Sequence, residues 1–355
     1  MATTPDHAIE TRRTLLAAAR QGDENAYRGL VEPHRGELHA HCYRMLGSVQ
    51  DAEDALQDAL VRAWRGLPRF EERSSLRNWL FRIATNTCLN AIERRPPRHL
   101  PIGYGVAGDP FATNEVPLVE SVWIELYPDV QLGVADGFTG PAARYERRES
   151  LELAFVAALQ LLPARQRATL IMREVLGFSA REVAEALETS VASVNSSLQR
   201  ARKALAGHVP EQSQMETQRA LGEHELQAIV QRYADAMERA DIDAVVAMLT
   251  EDATWSMPPW SSWFRGPAAI TGFLRDHALK DDTWRHTATS ANGQIAVACY
   301  VHDSERKCYV PGVIDVLTLR GDRIATVTAF VTPAVFPRFD LPESLPLRGQ
   351  ERRTT

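Results

Sequence analysis

The sequence predicts a multidomain protein in which two all-α modules precede an α+β module. Three observations carry that reading. Apolar residues recur at three- and four-residue steps over about residues 10–95 and again over 146–208. A Gly- and Pro-rich stretch without a sustained period, 96–145, separates them. Beyond about residue 284 the pattern becomes that of strands, with Asn292-Gly293 and Gly321-Asp322 as hairpin turns.

The chain has 355 residues, which suits two or three domains. No stretch approaches the roughly 20 apolar residues of a membrane span. The first ten residues are polar and lack a signal-peptide core. The expectation is a cytoplasmic protein with no membrane contact. The four cysteines, Cys42, Cys88, Cys299 and Cys308, form no CxxC pair. His39, His41 and Cys42 cluster without a second ligand segment, so neither metal nor cofactor is expected. The net charge of -6 argues against a nucleic-acid binder until its distribution is considered. Acidic residues prevail over 20–60, arginine over 61–100, and acidic residues again over 221–340. Such alternation suits one face for protein and another for DNA.

The first module carries two informative helices. Ala52, Ala55, Leu56, Ala59, Ala63 and Trp64 mark the buried side of one. Its carboxylates Asp51, Glu53, Asp54 and Asp58 would repel phosphate and suit a basic protein surface. The next buries Leu76, Leu80, Ile83 and Thr87. Asn78, Arg82, Asn86, Asn90 and Arg94 recur on it at four-residue steps and form one polar row. Asparagine is a poor helix former and a good base-edge partner, whereas a merely solvated face more usually offers Glu and Lys. Trp79 serves either as core or as support for an unstacked base. Arg94-Arg95-Pro96-Pro97 stops the helix. Val122, Trp123, Ile124, Leu126 and Tyr127 imply that part of the following linker docks on something.

The sharpest local signal spans residues 179–205. Ser179-Ala-Arg-Glu182 is a capping box, and that helix buries Val183, Ala184 and Leu187. After a turn at Glu188-Thr189, Ser190 caps a second helix with the stripe Val191, Val194, Leu198, Ala201 and Leu205. Two short helices with a tight turn describe a helix-turn-helix. Away from the stripe lie Ala192, Ser193, Ser196, Gln199, Arg200 and Lys203, with Asn195 and Arg202 at its margins. Small hydroxyls admit the helix to the major groove, and long cations reach phosphate. In the last module one helix carries Leu226, Ile229, Val230, Tyr233 and Met237, and another follows Asp241. Strands are expected at Gln294–Val301, Cys308–Arg320 and Arg323–Val331.

These residues carry a resemblance. Cys42 through Trp64 and Phe70 through Arg95 resemble region 2 of extracytoplasmic-function sigma factors, and Leu159 through Leu205 resembles region 4. The tail resembles the SnoaL-like, ketosteroid-isomerase-like cone on Tyr233, Asp241, Asp243, Leu249, Glu251–Thr254, Met257-Pro258-Pro259, Arg265-Gly266 and Phe273. The resemblance implies region 2 at 10–95, a linker at 96–145, region 4 at 146–208, a SnoaL-like domain at 222–338 and a tail at 339–355. It implies that Asp51, Glu53, Asp54, Gln57 and Asp58 dock on the clamp helices of the largest RNA polymerase subunit. Asn86 and Asn90 with the Ser74–Ser75 loop would read the -10 element and hold a flipped base, alongside Trp79, Arg82 and Arg94. Ser193, Asn195, Ser196, Gln199, Arg200 and Lys203 would face the -35 element. Ser196-Ser197 stands where the family often has a basic residue. Tyr233, Trp255, Met257 and Asp315 would border a pocket in the cone. Met257 occupies the place of the isomerases' carboxylate base, and a thioether abstracts no proton, so no enzyme is expected. The partners implied are polymerase core, promoter DNA and, in cis, the C-terminal domain acting as regulator. The alternative is a stand-alone helix-turn-helix regulator with a ligand-sensing tail.

Overall fold

The computed structural model describes residues 5–105, 107–108, 117–118, 122–132, 150–210, 212–280 and 283–347. They form two compact units. The first collects the described residues of Met1–Pro97, Gln131–Arg147 and Ala154–Val209. The second collects those of Arg98–Val130, Arg148–Leu153 and Pro210–Thr355.

The first unit is helical. Helices α1 (Pro5–Arg20), α2 (Glu24–Leu46), α3 (Val49–Gly66) and α4 (Leu76–Ile92) are followed by α5 (Leu153–Gln160), α6 (Ala164–Leu170), α7 (Ala180–Ala186) and α8 (Val191–Leu205). Their ends are capped as the residues dictate. Asp23 accepts from the Asn25 and Ala26 amides before α2, and Ser48 accepts from the Asp51 amide before α3. Gly47, at φ 69°, closes α2 in the left-handed conformation that glycine adopts without a Cβ clash. The apolar stripe of α3 is buried at Ala52, Ala55, Leu56, Ala59 and Ala63. Helix α4 buries Leu76, Leu80 and Thr87, while Ile83 is half-buried.

Helices α2 and α4 also contact α6, so the modules on either side of the linker share one core. Buried Arg167 of α6 donates to the Met45 carbonyl at the end of α2, to Gln160 Oε1 at 2.5 Å, and to the Gln160 and Leu162 carbonyls at 3.1 and 3.2 Å. Gln160 in turn donates to the Arg44 carbonyl at 3.2 Å. Phe81 meets Phe178 edge-on at 5.7 Å, and the Arg77 guanidinium lies over both rings.

The second unit is α+β. Its helices are α9 (Gln214–Leu221), α10 (Glu223–Glu238), α11 (Ile242–Ala247) and α12 (Gly266–Phe273). Its strands are β1 (Leu249–Ser256), β2 (Trp263–Arg265), β3 (Trp284–Ala291), β4 (Gln294–Asp303), β5 (Cys308–Arg320) and β6 (Arg323–Phe330), ordered β2-β1-β6-β5-β4-β3. The β3–β6 meander is antiparallel, but β1 joins β6 in parallel, so the sheet is mixed. Asn292 and Gly293 take φ 56° and 70°, as a two-residue hairpin requires. One face of the sheet holds a core with Ile229, Tyr233, Trp255, Phe273, Val297 and Leu317. This unit includes α9, ahead of the expected start at 222. The reason is Gln214, whose amide brackets Leu319 through bonds of 2.9 and 2.6 Å to its carbonyl and amide.

Described parts of the expected linker also belong here. The His99 amide donates to the Val122 carbonyl at 2.9 Å, and the His99 carbonyl accepts from the Ile124 amide at 3.0 Å. Trp123 Nε1 donates to the Pro259 carbonyl at 2.9 Å, and Trp263 Nε1 donates to the Gly105 carbonyl at 2.9 Å. Asn292 accepts from the Tyr127 amide and donates to the Leu151 carbonyl, both at 2.8 Å. The apolar linker residues Trp123, Ile124, Leu126 and Tyr127 are thereby buried.

Candidate nucleic-acid interface

The polar row of α4 opens onto a pocket of about 380 Å³ lined by Arg62, Gly66, Arg69, Trp79, Arg82, Ile83 and Asn86. Trp79 is half-buried. One side packs on Phe70, with ring centroids 4.8 Å apart, and the ring also lines the pocket. Gly66 permits the close approach: a Cβ there would lie 3.3 Å from Trp79. Ser75 caps α4 by accepting from the Asn78 amide at 3.1 Å, and Ser74 is exposed beside it. Asn86 is half-buried; Asn90 is exposed further along α4 and Arg94 is exposed in the turn past its end at Ile92, so the expected row stops short of Arg94, and neither lines the pocket. The sequence reading missed Arg62 and Arg69 as site residues. Their signal was the arginine-rich stretch itself, but only the fold brings them opposite Trp79. Three guanidiniums, an indole face and an amide suit one base and its flanking phosphates.

The helix-turn-helix forms through local chemistry. The capping box is complete, with Ser179 accepting from the Glu182 amide at 3.2 Å and Glu182 accepting from the Ser179 amide at 2.7 Å. Ser190 caps α8 by accepting from the Ser193 amide. Val194, Leu198, Ala201 and Leu205 are buried as expected. Val191 is not: it is 43% exposed, because it is the first helical residue and projects before the stripe meets α7. Ser193, Asn195, Ser196, Gln199, Arg200 and Lys203 are all exposed. Arg200 donates to the Ser196 and Ser197 hydroxyls at 3.1 and 3.3 Å.

On α3, Asp54, Gln57 and Asp58 are exposed and Glu53 half-buried beside Arg35 at 3.1 Å. Asp51 differs from the expectation of a docking contact. It is 8% exposed and ion-paired with Arg95, which anchors the start of α3 to the segment after α4.

In the second unit, Tyr233 donates to Asp315 Oδ2 at 2.8 Å, and the Cys299 thiol lies 3.4 Å from the same oxygen. Tyr233, Trp255 and Asp315 are at most 2% exposed and Met257 is half-buried, so the first three are core side chains in this conformation. Burial raises the Asp315 pKa, partly offset by the Tyr233 hydrogen bond, the His286 charge and the Cys299 thiol. The Tyr233 hydroxyl is pushed well up by burial and by Asp315.

Two helical modules presenting amide, hydroxyl and guanidinium groups have the surface chemistry of a nucleic-acid-binding protein. The family profile of Sigma-70 region 2 matches residues 30–96, that of Sigma-70, region 4 matches 152–205, and that of the SnoaL-like domain matches 230–327. ECF RNA polymerase sigma factor SigG of Mycobacterium tuberculosis is 43% identical over 331 residues, covering 93% of this chain and 86% of the relative. ECF RNA polymerase sigma factor SigW of Bacillus subtilis is 29% identical over 192 residues, 54% of this chain and 92% of the relative. The crystal structure of the Mycobacterium tuberculosis extracytoplasmic function sigma factor SigJ shares the fold, with a TM-score of 0.54 at 19% identity, covering 87% of this chain and 97% of that one. The chain belongs to the extracytoplasmic-function family of RNA polymerase sigma factors, and it carries a C-terminal SnoaL-like domain. A stand-alone regulator is not favoured, because both sigma regions match in order. Among the described residues no helix is long and apolar enough to cross a membrane.

Proposed function

We propose that this sigma factor grips polymerase core through the Glu53, Asp54, Gln57 and Asp58 face of α3, seated on the clamp helices of the largest subunit. The α4 pocket takes a base of the -10 element, with Ser74, Ser75, Asn90 and Arg94 along the adjoining strand. Helix α8 reads the -35 element through Ser193, Asn195, Ser196, Gln199, Arg200 and Lys203. The protein acts in the cytoplasm and catalyses no reaction; the engagement of the Tyr233 hydroxyl by Asp315 and the thioether at Met257 support that last point. The observation that carries the reading is the open pocket lined by three arginines, Trp79 and Asn86.

The test is transcription of genomic fragments by purified core with the protein added, with 5′ ends mapped. Discrete start sites are expected. Arg82→Ala or Asn86→Ala should reduce their yield about tenfold, the scale of one lost base contact. Random initiation that the protein leaves unchanged would overturn the reading.

The SnoaL-like domain is proposed to regulate in cis by holding the linker. The Trp123–Pro259, Trp263–Gly105 and Asn292–Tyr127 bonds support this. Trp123→Ala should free that segment and change promoter output by several-fold at equal protein concentration. Output equal to wild type, despite faster proteolysis near residue 105, would exclude control through the linker.

A further inference from the structure

The helix-turn-helix places two carboxylates on the polar row of α4. Asn78 Nδ2 donates to Glu182 Oε1 at 2.5 Å, and the Arg82 guanidinium donates to Glu188 Oε1 at 3.2 Å. Both contacts lie inside the first unit. Glu182 is the third residue of α7, where the helix N-terminus and the Ser179 amide favour a negative charge. Those bonds to Ser179, with the Asn78 amide, hold its carboxyl below the usual carboxylate range, so it is an anion at neutral pH. Glu188 sits in the turn at φ 52°, in the left-handed region. Nearby, Arg77 pairs with Glu37 at 2.5 Å and reaches the Leu176 carbonyl at 3.5 Å. Arg82 also lines the pocket described above.

We propose that Glu182 and Glu188 mask the DNA-facing row of α4, so that region 2 binds a promoter strand only after the helix-turn-helix has moved off it. This deepens the sigma-factor reading and rests on it. The donors that a nucleotide needs at Asn78 and Arg82 already serve carboxylates. An incoming phosphate would meet like charge at the same place. The two occupants are therefore mutually exclusive, and the apparent affinity for DNA falls with the fraction of chains that are open. The Arg82–Glu188 pair is largely exposed, at 47% and 74%, so its share is modest and salt-sensitive.

The experiment uses the full chain and a fluorescein-labelled, 20-nucleotide single-stranded DNA of mixed sequence, read by anisotropy at low salt. Glu188→Gln is expected to tighten binding about three-fold and Glu182→Gln/Glu188→Gln about ten-fold. Glutamine also completes a capping box, so α7 should persist, and circular dichroism checks that it does. The Glu188→Gln gain should vanish in an Arg82→Ala background, which separates unmasking of α4 from a general loss of negative charge. Amide hydrogen exchange across 176–190 should rise when DNA saturates the wild-type protein. Unchanged affinity in both variants, or an equal gain with Arg82→Ala, would overturn the masking. The sigma-factor reading would still stand if core plus wild type selects start sites, and would fall separately if it does not.

Discussion

Arg167→Ala should lower the stability of the helical unit by about 3 kcal/mol or more, roughly 6–12 °C in its melting temperature. The guanidinium is 3% exposed, and burial lowers its pKa to about 10, still far above neutrality. It therefore remains a buried cation. Its charge is compensated by the carbonyls of Met45, Gln160 and Leu162 and by Gln160 Oε1. Alanine removes the donors, strands those carbonyls away from water and leaves a cavity. Lysine keeps the charge but not the planar fork, so Arg167→Lys should fall between wild type and alanine. Because the network ties the end of α2 to the start of region 4, hydrogen exchange should increase in both modules together. Calorimetry of the full chain reads the effect; a melting shift under 2 °C for alanine would contradict it.

The two units should respond to pH in opposite directions. His41 is fully buried, and its Nε2 lies 2.9 Å from the Thr85 hydroxyl. Thr85 gives its own proton to the Phe81 carbonyl, so it accepts from His41. Burial first, then the charges of Arg44 and Arg77, lowers the His41 pKa from 6.5 to about 3. A depressed folded value favours the neutral ring. Its contribution is complete above pH 6.5 and is lost as pH falls toward 3, with a cost on the order of a few kcal/mol by pH 4. His41→Gln should flatten that decline. For Asp315 the sign reverses. Its folded pKa is raised above 3.8, so its contribution is present at acid pH and lost as pH rises through the folded value. Asp315 faces Tyr233, Cys299 and His286, with Glu238 beside the last. Asp315→Asn, with an oxygen that still accepts from Tyr233, should raise the melting temperature of the second unit at pH 7.5 and leave that of the first unit unchanged. A lower melting temperature at that pH would mean that the carboxylate itself holds the core together.

What the sequence made legible was local. The capping box at Ser179, the Ser190 cap, the α3 stripe and the Asn292-Gly293 hairpin each depend on residues a few positions apart, and each is present. The polar row of α4 was readable because a helix repeats. What escaped required partners far along the chain. Asp51 looked like a surface carboxylate until Arg95 covered it. Arg167 looked unremarkable because the Met45 carbonyl it ties down lies 122 residues away, and His41 because Thr85 lies 44 away. The parallel seam between β1 and β6 joins strands whose sequences carry no sign of each other. Arg62 and Arg69 were visible as charge but not as the lining of a pocket.

The linker bonds in the second unit bear on how the two helical modules cooperate. Helix α4 ends at Ile92 and α5 begins at Leu153, about sixty residues later, enough for roughly 200 Å if fully extended. A tether with that much slack would give the second reader a low effective concentration once the first had engaged. Trp123, Trp263 and Asn292 take up part of the slack by fastening segments of the tether to a folded surface. A folded domain that holds the tether can in this way set how soon one contact with a promoter is followed by the next.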